Sequence, residues 1–174
     1  MKFLNFVKLI VLLPLALALT DCDRVGVLLK PKPEKPGPYA FDVVLKMSPK
    51  AEAALKRPGS GLVVDAWYYG DAAPAYRAQA DKLNRIYLGD EQWNYSGNAR
   101  RIHLRGEPID AAQLPQTRDG QPQVLVSVNS AEGDPDNMLS CHDYIGPIRL
   151  AQQHTPVLDC EFDTENYWDE TSAE

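Results

Sequence analysis

The alternation of apolar and polar positions predicts a chain built mainly of short strands. Over residues 41–47, the apolar side chains Phe41, Val43, Leu45 and Met47 alternate with Asp42, Val44 and Lys46, which is the period of a half-buried strand. Turn residues separate further runs of strand-forming side chains. These runs predict strands at residues 62–69, 85–88, 91–95, 100–105, 123–129 and 155–162.

Two short helices interrupt the predicted strands. Ser48-Pro49 has the form of a helix N-cap followed by proline in the first turn, and it predicts a helix over residues 51–56. A second short helix is predicted over 147–153. Gly89-Asp90 predicts a turn between two separate strands, and Gly70-Asp71 predicts the end of another.

Seven short strands without any long helix between them indicate a mainly β domain over residues 40–162. The expected architecture is an antiparallel β-sandwich with one or two short helices. A doubly wound parallel sheet is not expected, because the chain lacks the alternation of strands and long helices that such a sheet needs.

The N-terminal residues have the pattern of an export signal. Lys2 and Lys8 precede or border an apolar run over residues 9–19, about half the length that crosses a bilayer. Residues 1–21 are therefore predicted to be a removed signal peptide. The following Leu-Thr-Asp-Cys at 19–22 resembles the lipobox of bacterial lipoproteins, which implies that Cys22 becomes the lipidated first residue. Asp21 departs from the small residue usual before that cysteine.

An ordinary signal peptidase offers an alternative cut after the small-x-small pattern Ala16-Leu17-Ala18. The three cysteines bear on this choice. Cys141 and Cys160 are predicted to form a disulfide, so an unlipidated Cys22 would remain as an odd thiol in an oxidising compartment. Lipidation of Cys22 accounts for it.

A proline-rich tether follows the predicted anchor over residues 22–39. Alternating prolines favour an extended spacer that holds a domain away from a membrane surface. Asp23 resembles an inner-membrane retention signal of lipoproteins. The expected address is the periplasmic side of a Gram-negative cell membrane, with the inner membrane favoured.

The charges suggest two surfaces for protein partners and argue against nucleic acid as a partner. A net charge of −6 argues against nucleic acid, which binds clustered Lys and Arg. Residues 163–174 form an acidic tail in which Tyr167 and Trp168 are predicted partner anchors. A basic stripe provides the other predicted surface, formed by Arg100, Arg101, His103 and Arg105. The alternatives are a solvated terminus and a charged edge that discourages aggregation.

Signatures of catalysis are missing from the sequence. It lacks Gly-x-Ser-x-Gly, His-Glu-x-x-His and glycine-rich phosphate motifs, so no catalytic residue and no cofactor is predicted. Cys141 and His142 are adjacent, a spacing that does not suit zinc. Residues 132–137 carry oxygen ligands without the spacing of a calcium loop. No metal site is predicted.

Four sequence phrases carry a resemblance to known proteins: SPKA at 48–51, VDAWYYGD at 64–71, IYLG at 86–89 and DNMLSC at 136–141. Together they resemble small exported proteobacterial lipoproteins without assigned function. The strand end at Tyr68-Tyr69-Gly70 is more distantly similar to transthyretin-like and immunoglobulin-like sandwiches.

The expected function is a binding or adaptor module that joins a protein partner in an envelope assembly. An inhibitor or immunity-type protein that blocks a periplasmic hydrolase is the alternative, and an enzyme with an unrecognised site is the third hypothesis.

Overall fold

The computed structural model describes residues 36–131 and 138–166. The predicted signal peptide, Cys22, most of the tether, Tyr167 and Trp168 lie outside the described residues, so these predictions remain predictions. Within the described ranges the chain is mainly β, with eight strands in one sheet and short helices. The strands are β1 (Phe41–Met47), β2 (Gly61–Asp71), β3 (Arg85–Ser96), β4 (Arg101–Leu104), β5 (Gln123–Ser130), β6 (Leu139–Cys141), β7 (Tyr144–Pro147) and β8 (Val157–Phe162). The α-helices are α1 (Pro49–Leu55), α2 (Ile148–Gln153) and α3 (Asp163–Asn166), and 3-10 turns span Pro74–Gln79 and Leu114–Gln116.

The strand order across the sheet is β3-β2-β5-β6-β8-β1-β4, and β7 also pairs with β5. The pairs are antiparallel with one exception in the described chain: β1 and β8 run parallel, with Leu45 opposite Leu158. The prediction of a mainly β domain with short helices is confirmed, and the prediction of uniformly antiparallel pairing is wrong at this one pair.

One face of the sheet encloses the hydrophobic core. Alternate residues of β2 and β5 point into it and are fully buried, as Val64, Val126 and Val128 show. Inward residues from β1, β4 and β8 belong to the same cluster, and α1 and α2 each add two buried residues. The period-2 pattern of the sequence therefore identifies the inner face of these strands.

The predicted helix after Ser48 is present as α1, two residues earlier than expected. Ser48 is its N-cap, where the side-chain oxygen accepts a hydrogen bond from the Ala51 N–H at 3.1 Å. Ser48 also donates to Glu165 Oε2 at 2.8 Å, and that oxygen accepts from the Phe162 N–H at 2.8 Å. Residues 163–166 of the predicted acidic tail thus form a helical turn that packs beside α1.

Strand β3 corrects the prediction of two strands separated by a turn at Gly89-Asp90. It is continuous over 12 residues and contains a β-bulge opposite Tyr68 and Tyr69. Gly89 has a φ of 142°, and a Cβ there would lie 2.3 Å from the Pro108 carbonyl oxygen. Glycine at this position permits both the backbone conformation and the close approach. The extra residue reverses the alternation of the strand. Ile86 and Leu88 point inward before the bulge, and Glu91 points inward after it.

The ends of two other elements also differ from the predictions. Strand β2 continues through Gly70 to Asp71, where a strand end was expected. Strands β6 and β7 were not predicted, because they have only 3 and 4 residues. Such short runs carry too little alternation to indicate a strand.

Candidate functional site

The predicted disulfide between Cys141 and Cys160 is confirmed. The two cysteines lie opposite each other on β6 and β8, with only 8% and 2% of their surfaces exposed. The bond joins the ends of a segment that contains β7 and α2. Both sulfur atoms are therefore occupied and buried inside the domain.

Metal ligands are not gathered in the described part of the chain. No three His, Cys, Asp or Glu residues there are arranged to hold an ion. His142 lies at the limit of an ion pair, 4.0 Å from Glu161. The acidic loop at residues 132–137 lies outside the described residues.

The structure places the four residues of the basic stripe beside carboxylates. The Arg100 guanidinium binds Glu52 at 2.6 Å and the Gly97 and Ala99 carbonyls at 2.8 and 2.7 Å. Arg105 lies over the Trp93 ring at 4.9 Å and 4.0 Å from Glu107.

The other two members of the stripe share a single acidic residue. Arg101 and His103 each approach a different oxygen of Asp42 at 2.8 Å. The hydrogen bond from His103 and the nearby Arg101 lower the pKa of the Asp42 carboxyl, against the opposing effect of burial. The stripe is thus a line of ion pairs along β4, which is an edge strand of the sheet. This arrangement agrees with the alternative that the stripe is a charged edge that discourages aggregation.

A shallow cleft of about 270 Å³ lies beside this ion pair. It is lined in part by Asp42, His103, Gln152 and Thr155. The Gln152 amide donates to the carbonyl oxygens of Pro38 and Ala40 at 2.8 and 3.1 Å, which fastens α2 to the start of β1. In the cleft, His103 Nδ1 lies 2.8 Å from Asp42 Oδ1.

A buried carboxylate joins the two edges of the curled sheet. Glu91 on β3 is only 7% exposed, and it accepts hydrogen bonds from the Tyr68 hydroxyl and from Trp93 Nε1 at 2.7 Å. It also accepts from the backbone N–H groups of Arg105 at 3.1 Å and Gly106 at 3.0 Å, which directly follow β4. Strands β3 and β4 are the two edge strands of the sheet, and they do not pair with each other. The Glu91 carboxylate therefore links these edges where no backbone hydrogen bonds join them.

Hydrogen bonding keeps Glu91 ionised in spite of its burial. Burial raises the pKa of this carboxyl, but the bonds from Tyr68, Trp93 and the two backbone N–H groups outweigh it and place the pKa below its usual value. Burial and the adjacent Glu91 raise the pKa of Tyr68. Because four donors occupy its oxygens, Glu91 acts as a structural link and not as a free acid or base.

The outward face of β2 and β3 carries an aromatic cluster with an arginine. The Trp67 and Tyr69 rings stack at 5.0 Å, and Tyr87 lies 6.2 Å from Trp67. Arg85 sits over Trp67 at 4.3 Å and over Tyr69 at 5.0 Å, with its Nε bound to Asp81 at 3.0 Å. Trp67 and Tyr69 thus cluster with each other outside the main core.

Apolar side chains continue this cluster across the sheet. Trp67 on β2 is opposite Leu125 on β5, which is opposite Ile145 on β7. Tyr87 is 48% exposed and Ile145 is 61% exposed, while Tyr69 is 5% exposed beneath its neighbours. We call the set Trp67, Tyr69, Arg85, Tyr87, Leu125 and Ile145 the aromatic face. It was not predicted as a surface, because a run of aromatic residues in a strand is more often part of the core.

Comparisons with known proteins add no relative. No family model matches the chain, and no curated protein or solved structure is similar to it. Among the helices described here, none has the length and apolar character needed to span a membrane.

Proposed function

We propose that this protein is a binding module of the bacterial cell envelope that recognises a protein partner through its aromatic face. The observation that carries the proposal is the position of that face. The opposite side of the sheet has a complete hydrophobic core, so Tyr87 and Ile145 are not needed to fill it. Trp, Tyr and Arg are also the residue types most common at the energetic centres of protein interfaces.

The proposed address is the periplasmic side of a Gram-negative membrane, with a lipid on Cys22 and the inner membrane favoured because of Asp23. The buried disulfide supports an oxidising compartment. We expect the mature protein from its host to have the mass of a triacylated chain beginning at Cys22. A chain without lipid that begins near residue 19 would contradict the anchor.

The proposed role is non-catalytic. Glu91 is the buried carboxylate of the described chain, and its oxygens are occupied by structural donors. The His103–Asp42 pair is exposed and engaged with Arg101. These arrangements support binding without a reaction at either place.

The proposed fold within the mainly β class is a sandwich of transthyretin-like or immunoglobulin-like type. Two groups of strands, β3-β2-β5 and β8-β1-β4, contribute inward residues to one hydrophobic cluster. That arrangement supports the division of the curled sheet into two facing halves.

The aromatic face is tested by removing its two most exposed apolar side chains. We expect the double variant Tyr87→Ser/Ile145→Ser to lower the affinity for the partner by about 30-fold, the effect of about 2 kcal/mol at an interface centre. The yield of partner that co-purifies from crosslinked host envelopes provides the measurement.

A matched control has equal exposure elsewhere on the domain. Leu150 on α2 and Val157 on β8 are 47% and 57% exposed, so Leu150→Ser/Val157→Ser removes comparable apolar surface. We expect this control to retain full capture of the partner. Equal capture by both double variants would refute a role for the aromatic face, and a captured hydrolase that loses activity would favour the inhibitor hypothesis.

A further inference from the structure

The charges around the aromatic face identify the kind of partner that it fits. Three carboxylates surround the face on the outward positions of β2 and β3: Asp65, Asp71 and Asp90. Asp65 accepts a hydrogen bond from Gln92 at 2.6 Å, and Asp90 accepts one from the Tyr87 hydroxyl. Both donors are neutral, so they leave the negative charge uncompensated.

No ion pair joins Asp65, Asp71 or Asp90 to a basic side chain within the described ranges. Among the outward positions of β2, β3, β5 and β7, Arg85 is the one basic residue. Its guanidinium forms an ion pair with Asp81 at 3.0 Å. The strands of the face therefore combine an apolar centre with three carboxylates, at Asp65, Asp71 and Asp90, that form no ion pair within the described residues.

The other half of the sheet has the opposite arrangement. On β1, β4 and β8 the outward charges pair with one another, as in Lys46 with Asp159 at 2.8 Å and Arg101 with Asp42 at 2.8 Å. A folded chain that neutralises one face and leaves carboxylates unmatched on another has a negative potential over the second face. Complementary potentials steer association and select the partner.

We infer that the aromatic face binds a basic protein surface, in which Lys or Arg side chains surround an apolar centre. This inference rests on the proposed function and specifies the chemistry of its partner. An anionic lipid surface does not fit, because the unmatched carboxylates repel its headgroups. A second copy of the same face does not fit either, because it would place carboxylates against carboxylates.

The test uses a photo-crosslinking amino acid, benzoylphenylalanine, at position 145 of the full chain in its host. Position 157, which is similarly exposed on the other half, is the control site. The variant Asp65→Asn/Asp71→Asn/Asp90→Asn removes three negative charges from the face and keeps the size of each side chain. The matched variant Glu107→Gln/Asp159→Asn/Asp163→Asn makes the same change in net charge away from the face.

We expect the triple variant at the face to lower the affinity for the purified crosslinked protein by about tenfold at low salt, and the matched variant to leave it unchanged. The affinity of the unsubstituted chain should fall as salt is raised, and the difference between the two triple variants should shrink. Equal affinities for both triple variants would overturn the inference of a basic partner.

The outcomes separate this inference from the proposed function. Crosslinking at position 145 that requires Tyr87 but not the three carboxylates would leave the binding module in place and overturn only the basic partner. Crosslinking that occurs at position 157 and not at 145, or at neither site, would overturn both.

Discussion

Replacing Glu91 with alanine is expected to lower the free energy of unfolding by about 3 to 5 kcal/mol. The substitution removes an acceptor from the Tyr68 hydroxyl, Trp93 Nε1 and the N–H groups of Arg105 and Gly106. Since Tyr68 is fully buried, its hydroxyl would lose its partner without access to bulk water. The variant would also release the link between β3 and the end of β4. Urea unfolding at pH 7 measures the loss.

Two controls and a change of pH test the physical reason for this loss. Tyr68→Phe removes one of the donors and is expected to cost about 1 to 2 kcal/mol, while Asp90→Ala on the exposed side of β3 should change stability by about 0.5 kcal/mol or less.

The pKa of Glu91 is lowered in the folded protein, so the contribution of its carboxylate to stability is present above about pH 4.3 and is lost as the pH falls through the folded value. The difference between the parent chain and Glu91→Ala should therefore be smaller at pH 3 than at pH 7. A loss below about 1 kcal/mol at pH 7 would show that water replaces these bonds.

Local patterns were sufficient to predict most of the elements. The alternation in Phe41–Met47 and Gln123–Ser130 reports which side of each strand is buried, and the cap at Ser48 reports where a helix begins. The Cys141–Cys160 pair followed from the number of cysteines and the expected compartment. Each of these signals lies within a few residues or in a simple count.

Features that depend on distant residues were not predicted. The bulge at Gly89 changes the inward side of β3, so Glu91 lies inside although the preceding alternation gives no sign of it. The parallel pairing of β1 with β8 joins residues more than a hundred positions apart. The ion pairs of the basic stripe were not predicted, because Glu52, the partner of Arg100, is 48 residues away in the sequence.

The aromatic face shows the same limit at a candidate site. Trp67, Tyr68 and Tyr69 are consecutive aromatic residues, and their order alone does not say which side of the strand each one occupies. The pairing of β2 with β5 places Tyr68 opposite buried Val124 and leaves Trp67 opposite half-exposed Leu125. The site therefore becomes visible only when the sheet register is known.

Removing the disulfide is expected to lower the free energy of unfolding by about 3 kcal/mol, because the bond restricts a closed loop of the unfolded chain. The loop contains β7, the strand that carries Ile145. This strand pairs with only four residues of β5, from Gln123 to Val126. Urea unfolding of Cys141→Ala/Cys160→Ala against the oxidised parent measures the effect.

Reduction of the parent chain should reproduce the stability loss without deleting side-chain volume, and Cys22→Ala should leave the domain's stability unchanged. We also expect faster hydrogen exchange in β7 than in β5 of the double variant, because β5 keeps its long pairing with β2 over Leu62–Tyr69 while β7 loses the covalent closure of its loop. Unchanged stability together with unchanged exchange in β7 would show that strand pairing and the packing of α2 alone hold this part of the aromatic face.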